Sequence, residues 1–274
     1  MKRALFVIIG FASFFMGCEE EADIPLPEVN QKITVSCFIS DNTDTVRAYL
    51  RWSDPVFSNG DSEGDIISDA QVVLSFNGFS RSFNFNPDMQ YYELPVEGFD
   101  LLPGLEYRLD IEAGDGTKAH AVTRIPLQQA DVRSASMERD ASMDEFNQYY
   151  VTYRFETLLG NADPSEPHYR VSHYEMWNDP MIMSTWSMTS NQWYTFEPDE
   201  EEKRLMNETI SYWYDTTIVL HKAIVIHCSE DYYRFHTTME SISYGPFAEP
   251  TIVYSNVNNG LGVFAGFRQL EILY

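Results

Sequence analysis

The cysteine at position 18 has the surroundings of a lipid attachment site. Lys2 and Arg3 open the chain, and a mostly apolar run from Ala4 to Met16 follows them. A basic start and a short apolar run are typical of an export signal, whereas a membrane-spanning helix needs about 20 apolar residues. We therefore predict that residues 1–17 form a lipoprotein signal peptide and that Cys18 carries acyl chains such as palmitate.

A second group of residues has the chemistry of a recognition surface. Trp177, Trp186 and Trp193 lie in one short segment that is also rich in methionine. Aromatic and methionine side chains supply large contact areas and adaptable packing at binding surfaces. We predict that the three tryptophans form a candidate ligand or partner surface, and packing in the core or between domains is the alternative. The methionines of this segment are Met176, Met181, Met183 and Met188.

Motifs for catalysis are missing from the sequence. It contains no HExxH, GxSxG, phosphate-binding GKS or GKT, or CxxC pattern. His227 and Cys228 are adjacent, but neighbouring residues of a strand point to opposite faces of the sheet. The same argument separates His168 from His173, which differ by an odd number of positions. We predict no catalytic residue, no cofactor and no enzymatic activity.

One acidic loop has the spacing of oxygen ligands for calcium. Asp61, Glu63 and Asp65 occupy alternate positions in the segment SNGDSEGD. A full calcium loop of the EF-hand type also needs a bidentate glutamate at its end, which this loop lacks. We interpret the loop as a solvated acidic turn and predict no metal site.

The charge and the composition exclude some classes of protein. Forty-two acidic residues against 18 basic ones give a net charge of −24, which repels a phosphate backbone, so we exclude nucleic acid as a partner. Hydrophobic residues make up 44% of the chain, enough to form a packed core. Cys37 and Cys228 could pair in an oxidising compartment, but we favour two separate buried thiols.

Period-two patterns predict a mainly β protein. Between residues 32 and 127, about seven short apolar alternations are separated by turn pairs such as Asn77-Gly78 and Pro103-Gly104. The Pro-Gly turn is followed by Tyr107 and a further alternation, which resembles the tyrosine corner of immunoglobulin-like and fibronectin type III sandwiches. We therefore predict an N-terminal immunoglobulin/fibronectin-like β-sandwich without a disulfide.

The second half predicts a β-rich domain with one short helix. Ser229 has the character of a helix N-cap, because two acids and then apolar residues at helical spacing follow it. Residues 126–147 are polar, so we place a domain boundary there. The predicted organisation is a signal peptide at 1–17, an acidic tether at 18–31, a β-sandwich at 32–127 and a β-rich domain at 128–274.

The C-terminal segment from Pro246 to Phe267, with its Glu-Pro, Ser-Asn and Gly-Leu-Gly elements, resembles a known family. Together with the strand ITVSCFIS and the lipoprotein start, it is similar to the Bacteroidota lipoproteins catalogued as domain of unknown function 4249. The resemblance implies a cell-envelope lipoprotein found beside TonB-dependent outer-membrane receptors. An acidic run after the lipidated cysteine resembles a surface-export signal in that lineage, and Glu19 to Glu21 fit it.

The expected function is that of a lipid-anchored binding or accessory protein. We expect it in the outer membrane, on the cell surface, as the partner of a TonB-dependent receptor in nutrient uptake. A periplasmic orientation stays open. An adhesin or structural envelope protein is the alternative, and a surface hydrolase is a third reading.

Overall fold

Strands dominate the described part of the chain. The computed structural model describes residues 30–54, 64–146, 148–177, 185–211, 218–242 and 252–274. The first eight strands are β1 Ile33–Ser40, β2 Thr45–Trp52, β3 Gln71–Phe76, β4 Phe79–Ser82, β5 Asn84–Asn86, β6 Tyr91–Pro95, β7 Glu106–Glu112 and β8 Lys118–Arg124. The remaining elements are β9 Asp131–Met143, β10 Tyr149–Gly160, β11 His168–Trp177, β12 Thr185–Thr195, β13 Glu202–Ser211, β14 Ile218–Cys228, helix α1 Glu230–Glu240 and β15 Gly260–Leu273.

These strands form three sheets. The largest has eight strands in the order β12-β11-β14-β15-β1-β2-β6-β5, and the others have the orders β4-β3-β7-β8 and β13-β10-β9. One core joins the β1-β2-β6 part of the large sheet to the four-stranded sheet, and a smaller core joins β11 and β14 to the three-stranded sheet. The protein is thus mainly β, as predicted, and built as immunoglobulin-like sandwich layers that share one long sheet.

The alternation of the first strand shows why these residues form a sandwich. Ile33, Val35, Cys37 and Ile39 of β1 are buried, while the residues between them are half-buried. Successive side chains of a strand point to opposite faces, so this pattern directs one apolar face of β1 into the core. The same alternation recurs in β7 and β8.

The predicted tyrosine corner is confirmed. The Leu102 N–H donates to the Tyr107 hydroxyl at 2.6 Å, and this hydroxyl donates in turn to the Leu102 carbonyl at 3.1 Å. The Tyr107 side chain is fully buried. These bonds satisfy a polar group inside the core and fix the entry of the chain into β7.

The large sheet contains strands from both sides of the predicted domain boundary at residue 127. β15 pairs in parallel with β1 over eight positions, from Ile33 opposite Gly260 to Ser40 opposite Phe267. Phe264 of β15 is fully buried in the same core as β1 and β7. Strands from both predicted domains therefore share a hydrogen-bonded sheet, and residues 31–274 form one compact unit.

One strand differs from the sequence-based expectations. The segment 126–147, predicted as a polar boundary, contains the 13-residue strand β9. Because β9 lies at a sheet edge, most of its side chains are exposed and its sequence lacks a clear apolar face.

Helix α1 begins where the sequence predicts. The Ser229 hydroxyl accepts the Tyr232 N–H at 3.3 Å, and Glu230 and Asp231 occupy the first turn. Negative side chains there interact favourably with the helix dipole. No described helix is long and apolar enough to cross a membrane.

Candidate binding surface

The three predicted tryptophans lie on the β11–β12 hairpin, but they do not form one cluster. Trp177 ends β11 and pairs with Thr185 along the backbone, while its side chain lies outside the description. Trp186 pairs with Met176, and Trp193 pairs with Arg170. Trp193 and Trp186 share a face of the sheet, because their partners Arg170 and Met176 lie six positions apart on β11.

Trp193 packs against helix α1. Its ring lies 5.6 Å from that of Tyr233 and 6.2 Å from that of Tyr232, measured between centroids. Its indole N–H donates to Glu240 at 2.8 Å, and the Arg170 guanidinium lies 5.1 Å from the ring. Trp193 therefore holds the helix on the sheet, which is the packing alternative that the sequence left open.

Trp186 is part of a partly exposed apolar face. The Lys222 ammonium lies 4.4 Å from the centroid of the Trp186 ring, a distance suited to a cation–π interaction. Leu220 pairs with Met176 on the next strand and is 40% exposed, and Met188 is 54% exposed. We call this set the Trp186 face; its members are Tyr174, Met176, Trp186, Met188, Leu220 and Lys222.

Two buried histidines form a polar cluster between the sheets. His173 and His221 lie on β11 and β14, and their rings contact Phe155 of β10 at 4.8 and 5.5 Å between centroids. Three ring nitrogens, Nε2 of His173 and both of His221, lack a hydrogen-bond partner among the described residues. Glu175 pairs with His221 across the strands and accepts the Thr209 hydroxyl at 3.1 Å.

The sequence does not reveal this cluster, because the spacing of histidines shows only which of them share a face of the same strand. Here the two residues come from different strands that are distant in sequence, and the β11–β14 register brings them together. Burial and, as a smaller effect, the neighbouring His221 lower the pKa of His173 to about 4. Burial also lowers the pKa of His221 and raises that of the Glu175 carboxyl.

The adjacent His227 and Cys228 do not form a catalytic pair. The His227 ring lies between the Gln128 carbonyl at 2.9 Å and the Glu166 carbonyl at 2.6 Å. The Cys228 thiol donates to the His168 carbonyl at 3.3 Å, and burial raises its pKa. A raised pKa keeps the sulfur in its unreactive thiol form. Cys37 and Cys228 are both buried and free.

His168 instead joins the large sheet to the helix. Its ring stacks on Tyr233 with a centroid separation of 3.9 Å, and Nε2 lies 2.6 Å from a Glu230 oxygen. Burial lowers the pKa of His168, while the Glu230 carboxylate opposes that shift. The contact anchors the first turn of α1.

Other predicted positions fall outside the description. Cys18, Asp61 and Glu63 lie there, and of the acidic loop only Gly64 and Asp65 are described. Within the described ranges, no group of three His, Cys, Asp or Glu side chains is placed to hold a metal ion.

We expect the His173→Gln variant to lose part of the acid sensitivity of the protein. The unfolded chain binds a proton at His173 near pH 6.5, whereas the folded protein binds it only near pH 4. The free energy of unfolding should therefore fall as the pH drops through this window, by about 3 kcal/mol for this group alone. Urea unfolding at several pH values measures the slope.

The raised pKa of Glu175 acts in the opposite direction, because the folded protein takes up that proton first on acidification. The comparison between wild type and variant cancels this contribution. If the free energy of unfolding depends on pH equally in both proteins between pH 6.5 and 4, folding does not lower the pKa of His173.

The fold and this surface define a disulfide-free, mainly β sandwich protein of immunoglobulin-like type, with a partly exposed aromatic and methionine face on its large sheet. The model of the family "Domain of unknown function (DUF4249)" matches residues 19–272, nearly the whole chain. The chain belongs to this family.

Comparisons with individual proteins add little. No curated protein matches the sequence. One similar solved structure is titled "Crystal structure of CBD12 from CALX1.2"; it shares 13% identity, with 76% of this chain and 87% of that chain covered, at a TM-score of 0.19.

Proposed function

We propose that this protein is a lipid-anchored binding or accessory protein of the outer membrane, displayed on the cell surface and partnered with a TonB-dependent receptor in nutrient uptake. The observation that carries the proposal is Cys18, preceded by an export signal and followed by an acidic segment.

The arrangement after the cysteine suits a tethered protein. The segment 18–31 contains acids and prolines, and β1 begins at Ile33 in the middle of the large sheet. Several acyl chains hold a protein stably on a membrane, whereas one chain alone binds only marginally. The protein is therefore a folded module that the short segment 18–31 tethers to the membrane.

The Trp186 face supports the binding part of the proposal. The exposed Met188 and Leu220 lie with the half-buried rings of Tyr174 and Trp186 on one sheet face, beside Lys222. Such groups are favoured where proteins recognise partners or ligands. A role as an adhesin stays the alternative function, since this face would serve either.

We expect the Cys18→Ala variant to lose its membrane attachment. Without the thiol no acyl chain can be added, so the protein should leave the membrane fraction and fail to incorporate labelled palmitate. Cys37→Ala is the matched control, because Cys37 is buried in the first sandwich and should not affect anchoring. Retention of label and membrane attachment by Cys18→Ala would contradict the anchor.

The partner and the orientation need separate measurements. Protease treatment of intact cells should digest the protein if it is on the surface. Affinity purification of the intact protein from detergent-solubilised membranes should recover a TonB-dependent receptor in a fixed ratio, and Trp186→Ala should reduce that recovery. Repeated purification without any such receptor would contradict the partnership, and Met206→Ala on an exposed site of β13 is the control.

A further inference from the structure

β12 forms one edge of the eight-stranded sheet. Among the described residues, β11 is its only hydrogen-bonded neighbour. The Phe196 N–H donates to the Pro167 carbonyl at 3.0 Å, on the β11 side. Because an antiparallel ladder alternates between bonded and non-bonded positions, the N–H and C=O groups of Asn191 and Trp193 must point outward.

The part of this edge that can pair with another strand is short and has a limit at each end. Thr189 is a bulge, since the pairing skips it between Ser190 and Met188. At the other end, the Thr195 carbonyl accepts the Lys203 ammonium at 2.7 Å. The run between these limits is regular and is centred on Gln192.

The edge strands differ in how they are protected from other chains. Natural sheets guard their edges with charged residues or by keeping edge strands short. β4 and β5 have four and three residues, and β9 and β13 carry several charged side chains each. β8 has charged residues at both ends, Lys118 and Arg124, and its middle is covered by the bridge between His120 and Asn258. β12 has 11 residues and none is charged. It is therefore the least protected long edge in the described part of the chain.

The uncharged edge of β12 is a place where two copies of this acidic protein can meet without placing like charges against each other. With 42 acidic and 18 basic residues, two copies repel each other over most possible contacts. Two β12 strands in antiparallel pairing place no charged residue of one strand opposite the other. The apolar rows of the Trp186 face also lie next to this edge.

We propose that two copies of this protein pair antiparallel through β12, with Gln192 of each copy facing Gln192 of the other. Asn191 of one copy and Trp193 of the other then exchange their outward N–H and C=O bonds, and the two large sheets become continuous. The pairing is isologous, because the same strand serves both copies. It does not depend on the lipid anchor or on a receptor.

The proposed register predicts an unusual response to salt. The paired strands themselves are uncharged, so no salt bridge is lost when ions are added. The repulsion between two acidic proteins is screened by salt instead. Dimerisation should therefore strengthen as salt is raised, unlike an interface held by ion pairs.

The Gln192→Cys variant of the full chain tests the register directly. Its two thiols would meet at the two-fold axis, so mild oxidation should give a covalent dimer. Ser187→Cys is the matched control, because this exposed residue lies five positions from the axis and its two copies would be about 30 Å apart. The native thiols of Cys37 and Cys228 are buried and should not react.

Sedimentation of the detergent-solubilised full chain tests the association itself. We expect a dimer that Gln192→Lys weakens at least tenfold, while Met206→Lys, with the same change in charge at an exposed site of β13, leaves it intact. Hydrogen exchange should show protection of the Asn191 and Trp193 amides that increases with protein concentration.

Three results would overturn the proposal. One is a monomer at every concentration and salt. Another is a dimer that Gln192→Lys does not affect, which would place the interface elsewhere. The third is protection of Asn191 and Trp193 only when a different protein is added, which would assign the edge to a heterologous strand.

Discussion

A fragment of residues 32–127 will fail to fold on its own. In the intact protein, β1 is paired with β15 along eight residues, and Phe264 and Val257 complete the core around β1 and β7. The fragment lacks β15, Phe264 and Val257, so the apolar strand β1 becomes a sheet edge that is paired only with β2, and the core loses buried area. Each fully buried large side chain contributes about 2 kcal/mol, a large share of the stability of a small domain.

Circular dichroism and thermal melting of the fragment measure this outcome. We expect a spectrum without a cooperative transition, whereas residues 31–274 should melt in one transition. A fragment that melts cooperatively would instead support the predicted boundary at 127 and 128 as the limit of an independent domain. Adding a peptide of residues 252–274 to the fragment should restore a cooperative transition, because this peptide contains β15.

The second large effect is expected for Gly262→Ala. Gly262 has a φ of 98°, and an added Cβ would lie 2.9 Å from the carbonyl carbon of Val35 and closer still to its oxygen. The left-handed backbone conformation alone costs a non-glycine residue about 1–2 kcal/mol. The steric clash with a rigid neighbouring strand adds to this cost, so we expect the free energy of unfolding to fall by about 4 kcal/mol.

Gly78→Ala is a matched control for the backbone conformation. Gly78 has a φ of 79°, but an added Cβ would meet no atom within 4 Å. This variant should lose only about 1 kcal/mol, the cost of the conformation without the clash. Chemical denaturation measures both losses. Equal losses would show that close packing of β1 and β15 contributes nothing at Gly262.

The sequence predicts the features that local patterns encode. The strict alternation of β1 and the Pro-Gly turn before Tyr107 specify a sandwich and its corner, since both depend on neighbouring residues. The cap of α1 at Ser229 is equally local. The role of Gly262 is not local, because the absence of a side chain there permits the close approach of β15 to β1.

Features that depend on distant pairing could not be predicted. The partnership of β1 with β15 joins opposite ends of the chain and has no local signature. The His173 and His221 cluster depends on the register between β11 and β14. The polar strand β9 could not be predicted, because an edge strand with one exposed face does not need a continuous apolar pattern.

The parallel pairing of β1 with β15 also determines when the protein can finish folding. β1 is among the first elements to be made, and its partner strand is the last. Contacts of such large sequence separation form slowly, because the chain must close a very long loop first. During synthesis, the centre of the large sheet therefore stays open until β15 has been made, and the sheet is completed as a whole rather than from one end.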